Sequence, residues 1–267
     1  MNVVVMVGAP GSGKGTQAQI LSQRLGLPHV ASGDLFREAV RSGSALGREV
    51  KGYLERGALA PDEPTIKVVM ERLSRPDAAA GAILDGFPRT RLQAEALDAA
   101  LAQVGGRVVA ALYIGVRPEE LLRRLSGRWV CRAKGHVYHV TENPPRRAGI
   151  CDIDASELYQ REDDAPATVR ARLEQQLPPM YEVVDYYSQQ GVLAPVDGDG
   201  SIEKVAAALL HAIEREAARW PGETAPTGAG TGSASRNGKR APTPASDSAT
   251  KRPAKPLRPT RAGRARS

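Results

Sequence analysis

A glycine-rich loop joined to an apolar run constrains this chain more than any other feature. Val3, Val4, Val5, Met6 and Val7 are continuously apolar, the pattern of a parallel strand buried on both faces. Gly8, Ala9, Pro10, Gly11, Ser12 and Gly13 follow as a tight turn, then Lys14, Gly15 and Thr16. Glycines let the backbone take positive φ and approach a ligand closely. Inward N–H groups and the positive end of the next helix make such a turn a phosphate cradle. Lys14 adds a mobile charge for the outer phosphates. The general pattern has Ser or Thr directly after the lysine; here Gly15 takes that place and the hydroxyl comes one later, on Thr16.

Further apolar runs suited to strands occupy 82–84, 108–114 and 192–196, and His29, Val30 and Ala31 end another. Helix-like segments lie between them, at 15–25, 91–103, 118–125, 167–188 and 202–219. This alternation predicts an α/β fold, a P-loop NTPase-like parallel sheet with helices on both faces. Ligands then belong at the carboxyl ends of the strands. Two stretches break the alternation. Residues 32–62 are polar and helical; residues 127–164 are long, irregular and rich in Arg, Pro and Gly. Insertions of this kind serve as lids or binding arms.

The chain has 267 residues, enough for one domain with insertions. No apolar stretch approaches the roughly 18 residues of a membrane span, and the start lacks a basic-then-apolar secretory pattern. With two cysteines, a reducing cytoplasm is expected. The net charge of +7 misleads as an average, because residues 221–267 hold ten Lys or Arg against two acids. The remainder is near neutral. That tail, 219–267, is rich in Ala, Pro, Thr, Ser and Gly and is expected to be disordered. Its cations suit weak, salt-dependent nucleic-acid contact, but no aromatic interleaves them for base stacking.

Three further motifs carry chemistry. Ser32-Gly33-Asp34-Leu35-Phe36-Arg37 follows a strand end, suits a helix cap, and places Arg37 one turn in as a phosphate ligand. Asp85-Gly86-Phe87-Pro88-Arg89-Thr90 follows the 82–84 run. There Gly86 permits close approach, Pro88 stiffens the turn and Arg89 offers a fork for phosphate oxygens. Gln93, a turn beyond, both donates and accepts, which suits a purine edge. With the glycine loop, these motifs resemble the adenylate kinases. Tyr159-Gln160-Arg161-Glu162-Asp163-Asp164, Arg170-Ala171-Arg172 and Val196-Asp197-Gly198-Asp199-Gly200 extend the resemblance, and 127–164 resembles the long lid of the bacterial type.

The resemblance implies a core of 1–31, 61–126 and 165–218, an AMP-binding insertion at 32–60 and a lid at 127–164. It implies ATP held by Gly11, Ser12, Gly13, Lys14, Gly15, Thr16, Arg128, Val137, Tyr138 and the Gly200 carbonyl. It implies AMP held by Ser32, Arg37, Ala58, Leu59, Ala60, Gly86, Phe87, Pro88, Arg89, Gln93, Arg161 and Arg172. Lys14, Arg89, Arg128, Arg161 and Arg172 would carry the transfer of a phosphoryl group from ATP to AMP, giving two ADP, in a monomer. An AMP phosphate oxygen is already anionic, so the reaction needs positioning and cations, including Mg²⁺, rather than a strong base. Asp34 and Asp85 are candidates to hold Mg²⁺ through water, and Asp163 with Asp164 could instead pair with arginines at a hinge. The rival readings are a kinase for UMP or CMP and a nucleotide sensor without turnover.

Family members often hold the lid with zinc. The matching positions here are Cys131, Lys134, Cys151 and Asp154. A lysine ammonium has no lone pair, and three ligands leave a structural site open. His136, two residues on, could in principle fill the place, but such a histidine is more often exposed; the expectation is therefore a lid without zinc, with Lys134 facing Asp152 or Asp154.

Overall fold

The structure is a computed structural model that describes residues 1–218; the expected disordered tail lies outside the described residues. The chain runs β1 (Asn2–Val7), α1 (Lys14–Leu25), β2 (His29–Ala31), α2 (Ser32–Arg41), α3 (Ala45–Glu55), α4 (Asp62–Leu73), β3 (Gly81–Asp85) and α5 (Arg91–Gln103). It continues with β4 (Arg107–Gly115), α6 (Pro118–Ser126), β5 (Arg128–Cys131), β6 (Val137–His139), β7 (Leu158–Tyr159), α7 (Pro166–Gln189), β8 (Leu193–Asp197) and α8 (Ile202–Ala218).

Five strands form one parallel sheet in the order β2-β3-β1-β4-β8. The apolar run at the start explains the central place of β1. Val3, Val5 and Val7 point into one core cluster, with Leu97 and Leu101 of α5 and Val183 and Tyr187 of α7. Val4 and Met6 point into the other, with Ala18 and Leu21 of α1 and Leu209 and Ala212 of α8. Successive side chains leave opposite faces of a strand, so a strand apolar at every position needs helices on both sides. Met6 of β1 pairs with Asp85 of β3, which sets the glycine loop beside the loop after β3.

Two elements differ from the sequence expectation. Residues 127–164 are not irregular throughout: β5 lies between β6 and β7 in a three-stranded antiparallel sheet. Its strands are only two to four residues long, too short for alternation to show. Helix α4 also escaped notice, although Asp62 and Glu63 in its first turn are a fitting helix start. Helices α2 and α3 meet so closely that a Cβ on Gly47 would lie 2.0 Å from the Ala39 carbonyl oxygen. Among the described residues no helix is long and apolar enough to cross a membrane.

Candidate active site

The glycine loop bends back over the start of α1. Gly11 and Gly13 have φ of 87° and 91°, which side chains rarely adopt. Lys14 Nζ donates to the carbonyl oxygens of Gly8 and Ala9 at 2.7 and 2.8 Å. Burial pushes the Lys14 ammonium down to about 7; Asp85 opposes this, while Arg89, Arg172 and Arg128 add to it. Asp85 ends β3 beside this loop. Burial works against its ionisation, but His29 at 3.4 Å, Lys14 and Arg89 outweigh it and hold the carboxyl well below the usual range. A Cβ on Gly15 would come within 3.3 Å of Asp85 Oδ2. The carboxylate thus crowds the place where the general pattern carries a hydroxyl residue.

Cations gather around this pair from separate parts of the chain. Arg89 Nε donates to the Gly86 carbonyl at 2.9 Å, and the same oxygen accepts from Ser32 Oγ at 2.6 Å. Arg128 from β5 makes a two-pronged contact with Asp164. Arg172 from α7 reaches Asp163 Oδ2 at 2.7 Å and Asp164 Oδ1 at 3.2 Å. These two aspartates therefore pair with arginines at the root of the lid. Arg161 Nε is buried with no hydrogen-bond partner. Burial pulls the Arg161 and Arg172 guanidinium groups down to about 10, so both stay charged at neutral pH.

Two cavities open here. The larger, about 720 Å³, is lined by Pro10 to Gln17, Asp85, Arg128, Val137, Tyr138, Arg161 and Gly200. The smaller, about 60 Å³, is lined by Ser32, Ala58, Leu59, Ala60 and Gln93. Arg37, Gly86, Arg89 and Arg172 line both, so the cavities share a basic wall. Phe87 and Pro88 depart from the sequence reading, and Asp34, Tyr138 and Gln93 line the expected cavities while also engaging protein partners. Phe87 and Pro88 line neither cavity; Phe87 is fully buried in the core. Asp34 is exposed and paired with Arg37. Tyr138 packs into the small lid core, and its hydroxyl accepts from the Asp152 N–H at 2.8 Å. Gln93 accepts from the Arg89 N–H and donates to Asp62, both at 2.7 Å. One lone pair and one amide hydrogen of Gln93 are left over.

Sequence reasoning missed Gln176 and Gly57 in the smaller cavity and Arg117 in the larger. Gln176 lies four residues after Arg172 on α7, so helical spacing could have found it. Arg117 could not be told from a surface charge; it pairs with Asp199 at 2.6 Å.

The lid gives a further correction. Lys134 makes no salt bridge with Asp152 or Asp154: Asp152 accepts from the Arg146 N–H, and the Lys134 backbone N–H donates to Cys131 Sγ. The free thiols Cys131 and Cys151 instead meet His136 and Asp154, all four donor atoms within 4.8 Å of one another. Cys131 Sγ is 3.3 Å from Asp154 Oδ2, and His136 Nδ1 is 3.3 Å from Cys151 Sγ and 3.6 Å from Asp154 Oδ2. A tetrahedral zinc with ordinary bond lengths has edges of roughly 3.3–3.8 Å. The three distances given lie in that range, and His136 offers a donor that Lys134 cannot.

A parallel sheet with a glycine loop at its carboxyl edge, and two cavities sharing arginines, defines a P-loop phosphotransferase. A model of the adenylate kinase family matches residues 6–192. Curated adenylate kinases from Exiguobacterium sibiricum and Lysinibacillus sphaericus are 47% and 48% identical, covering 77% and 78% of this chain and 95% and 96% of those proteins. One from Staphylococcus aureus is 44% identical, covering 80% of this chain and 99% of its own length. The chain belongs to the adenylate kinase family.

Proposed function

We propose that this protein transfers the terminal phosphoryl group of ATP to AMP, forming two ADP. The basic wall common to the two cavities carries this reading. A binder of one nucleotide has no need of arginines that face two sites at once. ATP would lie in the larger cavity, with its phosphates on Gly11 to Thr16 and its base near Gly200. AMP would lie in the smaller, with its base near Gln93 and its phosphate on Arg37, Arg89, Arg161 and Arg172.

The attacking AMP oxygen is anionic, so the residues have to join two polyanions and stabilise the moving group. Lys14, Arg89, Arg128, Arg161 and Arg172 supply that charge in a buried setting, where it acts strongly. Asp85, anionic and beside Lys14, would hold through water the Mg²⁺ that accompanies ATP, and the ion would offset phosphate charge. Asp34, tied to Arg37 at the surface, is less suited. Water has to be excluded, which gives 32–60 and 127–164 their roles as closing arms. The smaller cavity, at about 60 Å³, is well below the several hundred Å³ of a ligand pocket. The 32–60 arm therefore has to swing outward to admit AMP.

Cys131, His136, Cys151 and Asp154 would hold zinc in the lid. The ion would join the lid's two halves and take no part in the transfer. With two cysteines in the chain, we take the setting to be a reducing cytoplasm and the working unit to be a monomer.

The test is ADP formation from ATP and Mg²⁺ with AMP, UMP, CMP and GMP in parallel. Turnover with AMP alone is expected. Preference for a pyrimidine would overturn the base assignment at Ser32 and Gln93, and ATP binding without any turnover would overturn the enzyme reading.

A further inference from the structure

Gln176 has chemistry that the reaction described above does not yet use. It lies on α7, four residues after Arg172, and is only 6% exposed. Its Oε1 accepts from Arg89 Nη1 at 2.5 Å, and its Nε2 donates to the Gly57 carbonyl oxygen at 2.7 Å. A guanidinium only donates and a carbonyl only accepts, so the amide can satisfy both in one orientation alone. Glutamate would serve Arg89 but offer nothing to Gly57, and lysine would do the reverse.

The two partners belong to different parts of the acceptor site. Gly57 follows α3 at the end of the 32–60 insertion and leads into Ala58, Leu59 and Ala60, which line the smaller cavity. Its φ is 70°, and a Cβ there would lie 3.2 Å from Arg172 Cβ and from Thr168 Cγ2, so this edge of the insertion seats closely on α7. Arg89 is held at Nε by the Gly86 carbonyl and at Nη1 by Gln176. Both partners are neutral. Arg128 and Arg172, by contrast, are each paired with a carboxylate. Arg89 is thus oriented by neutral hydrogen-bond partners, while Asp85 and Asp163 act on its charge without a salt bridge to it.

We infer that Gln176 is a positioning residue for the acceptor nucleotide: it aims Arg89 at the acceptor phosphate and fastens the closed 32–60 insertion through Gly57. This rests on the phosphotransfer reading and adds to it a residue in the wall of the smaller cavity that acts through Arg89 and Gly57. Because the amide is satisfied at both ends only when the insertion sits against α7, closure and the aim of Arg89 are set by one group.

The experiment compares Gln176→Met and Gln176→Glu with the unaltered enzyme. KM is measured separately for AMP and ATP, AMP affinity is measured by calorimetry without ATP, and melting is followed as a control. Methionine has similar bulk and makes neither hydrogen bond. It is expected to raise the KM for AMP about tenfold, the scale of a lost hydrogen bond to a charged group, and to leave that for ATP within about twofold. Glutamate keeps the contact to Arg89 but neutralises it, and is expected to lower kcat as well. A purely structural role would move both KM values together or shift only the melting temperature, and either result overturns the inference. If Gln176→Met does not fold, Gln176→Glu decides: an unchanged KM for AMP and kcat overturns it. Loss of all transfer in the unaltered protein would instead count against the phosphotransfer reading.

Discussion

Arg128 and Asp164 grip each other where the lid meets the core, with Nε donating to Oδ2 at 2.7 Å and Nη2 to Oδ1. The same carboxylate accepts from Arg172 Nη1 at 3.2 Å and is 1% exposed. One buried anion therefore holds two of the cations assigned to the phosphates, one from the lid and one from α7. Arriving phosphates compete with it for the same guanidinium groups.

Removing that anion should be costly. Asp164→Asn is expected to lower stability by about 3 kcal/mol, because breaking a buried pair strands its partners. Asp34→Asn, at the exposed pair with Arg37, should cost less than about 1 kcal/mol. Urea unfolding of both variants checks this, and equal losses would refute the distinction.

Lys14 makes ATP binding depend on protons. Its ordinary value is 10.5, and burial pushes it down to about 7, so at pH 8 it is mostly neutral. Triphosphate beside it restores the charged form, and the site must then take up a proton. Calorimetry at pH 8 in buffers of different ionisation enthalpy should show uptake approaching one proton per ATP. The uptake should fade towards pH 6, where the lysine is already charged, and vanish in Lys14→Met. Buffer-independent heats in the unaltered protein would sink the idea.

Arg89 lines both cavities, so replacing its fork by a point charge should harm transfer itself. Arg89→Lys is expected to lower kcat/KM by about 10²-fold or more. Arg124 also lines the larger cavity but is engaged by Glu120 and the Gly198 carbonyl. Arg124→Lys should cost less than about tenfold. Steady-state rates compare the two, and the reverse ranking would contradict the assignment.

If 32–60 and 127–164 close over the nucleotides, a two-headed dinucleotide inhibitor should reduce the radius of gyration seen by small-angle scattering. An unchanged profile at saturating inhibitor would rule closure out.

The lid donors predict metal content. Dialysed protein should retain about one zinc per chain, and chelation should lower the melting temperature. His136→Ala should weaken retention and Lys134→Ala should not. Protein purified with almost no zinc would return the lid to a hydrogen-bonded form held by Ser156, whose Oγ lies 2.9 Å from Cys131 Sγ.

The core was legible because its signals are local. The valines of β1 and the glycines after it state strand, turn and helix within seventeen residues. The arginine motifs were equally readable, since phosphate chemistry leaves few other uses for such spacing. What stayed hidden depends on contacts between distant segments. The sequence already offers His136 as a lid donor, but its closeness to Cys151 and Asp154 shows only in the folded chain. Gln176 meets Gly57 across 119 residues of sequence. Phe87 sits inside a phosphate-facing motif yet points into the core, because a residue's direction is set by packing and not by its motif.

The lid leaves the core at Arg128 and returns at Asp164, and those two residues hold each other. Its ends are thus joined by this contact, with Gln160 on the Ser126 carbonyl and Glu142 on Arg123 beside it, and the intervening sheet β6-β5-β7 is separate from the five-stranded one. Such an insertion is an exchangeable part. Transplanting a relative's lid between these two positions has to preserve that ion pair and the contacts to Ser126 and Arg123 at the seam, so lids with different donor chemistry can be compared on an unchanged catalytic core.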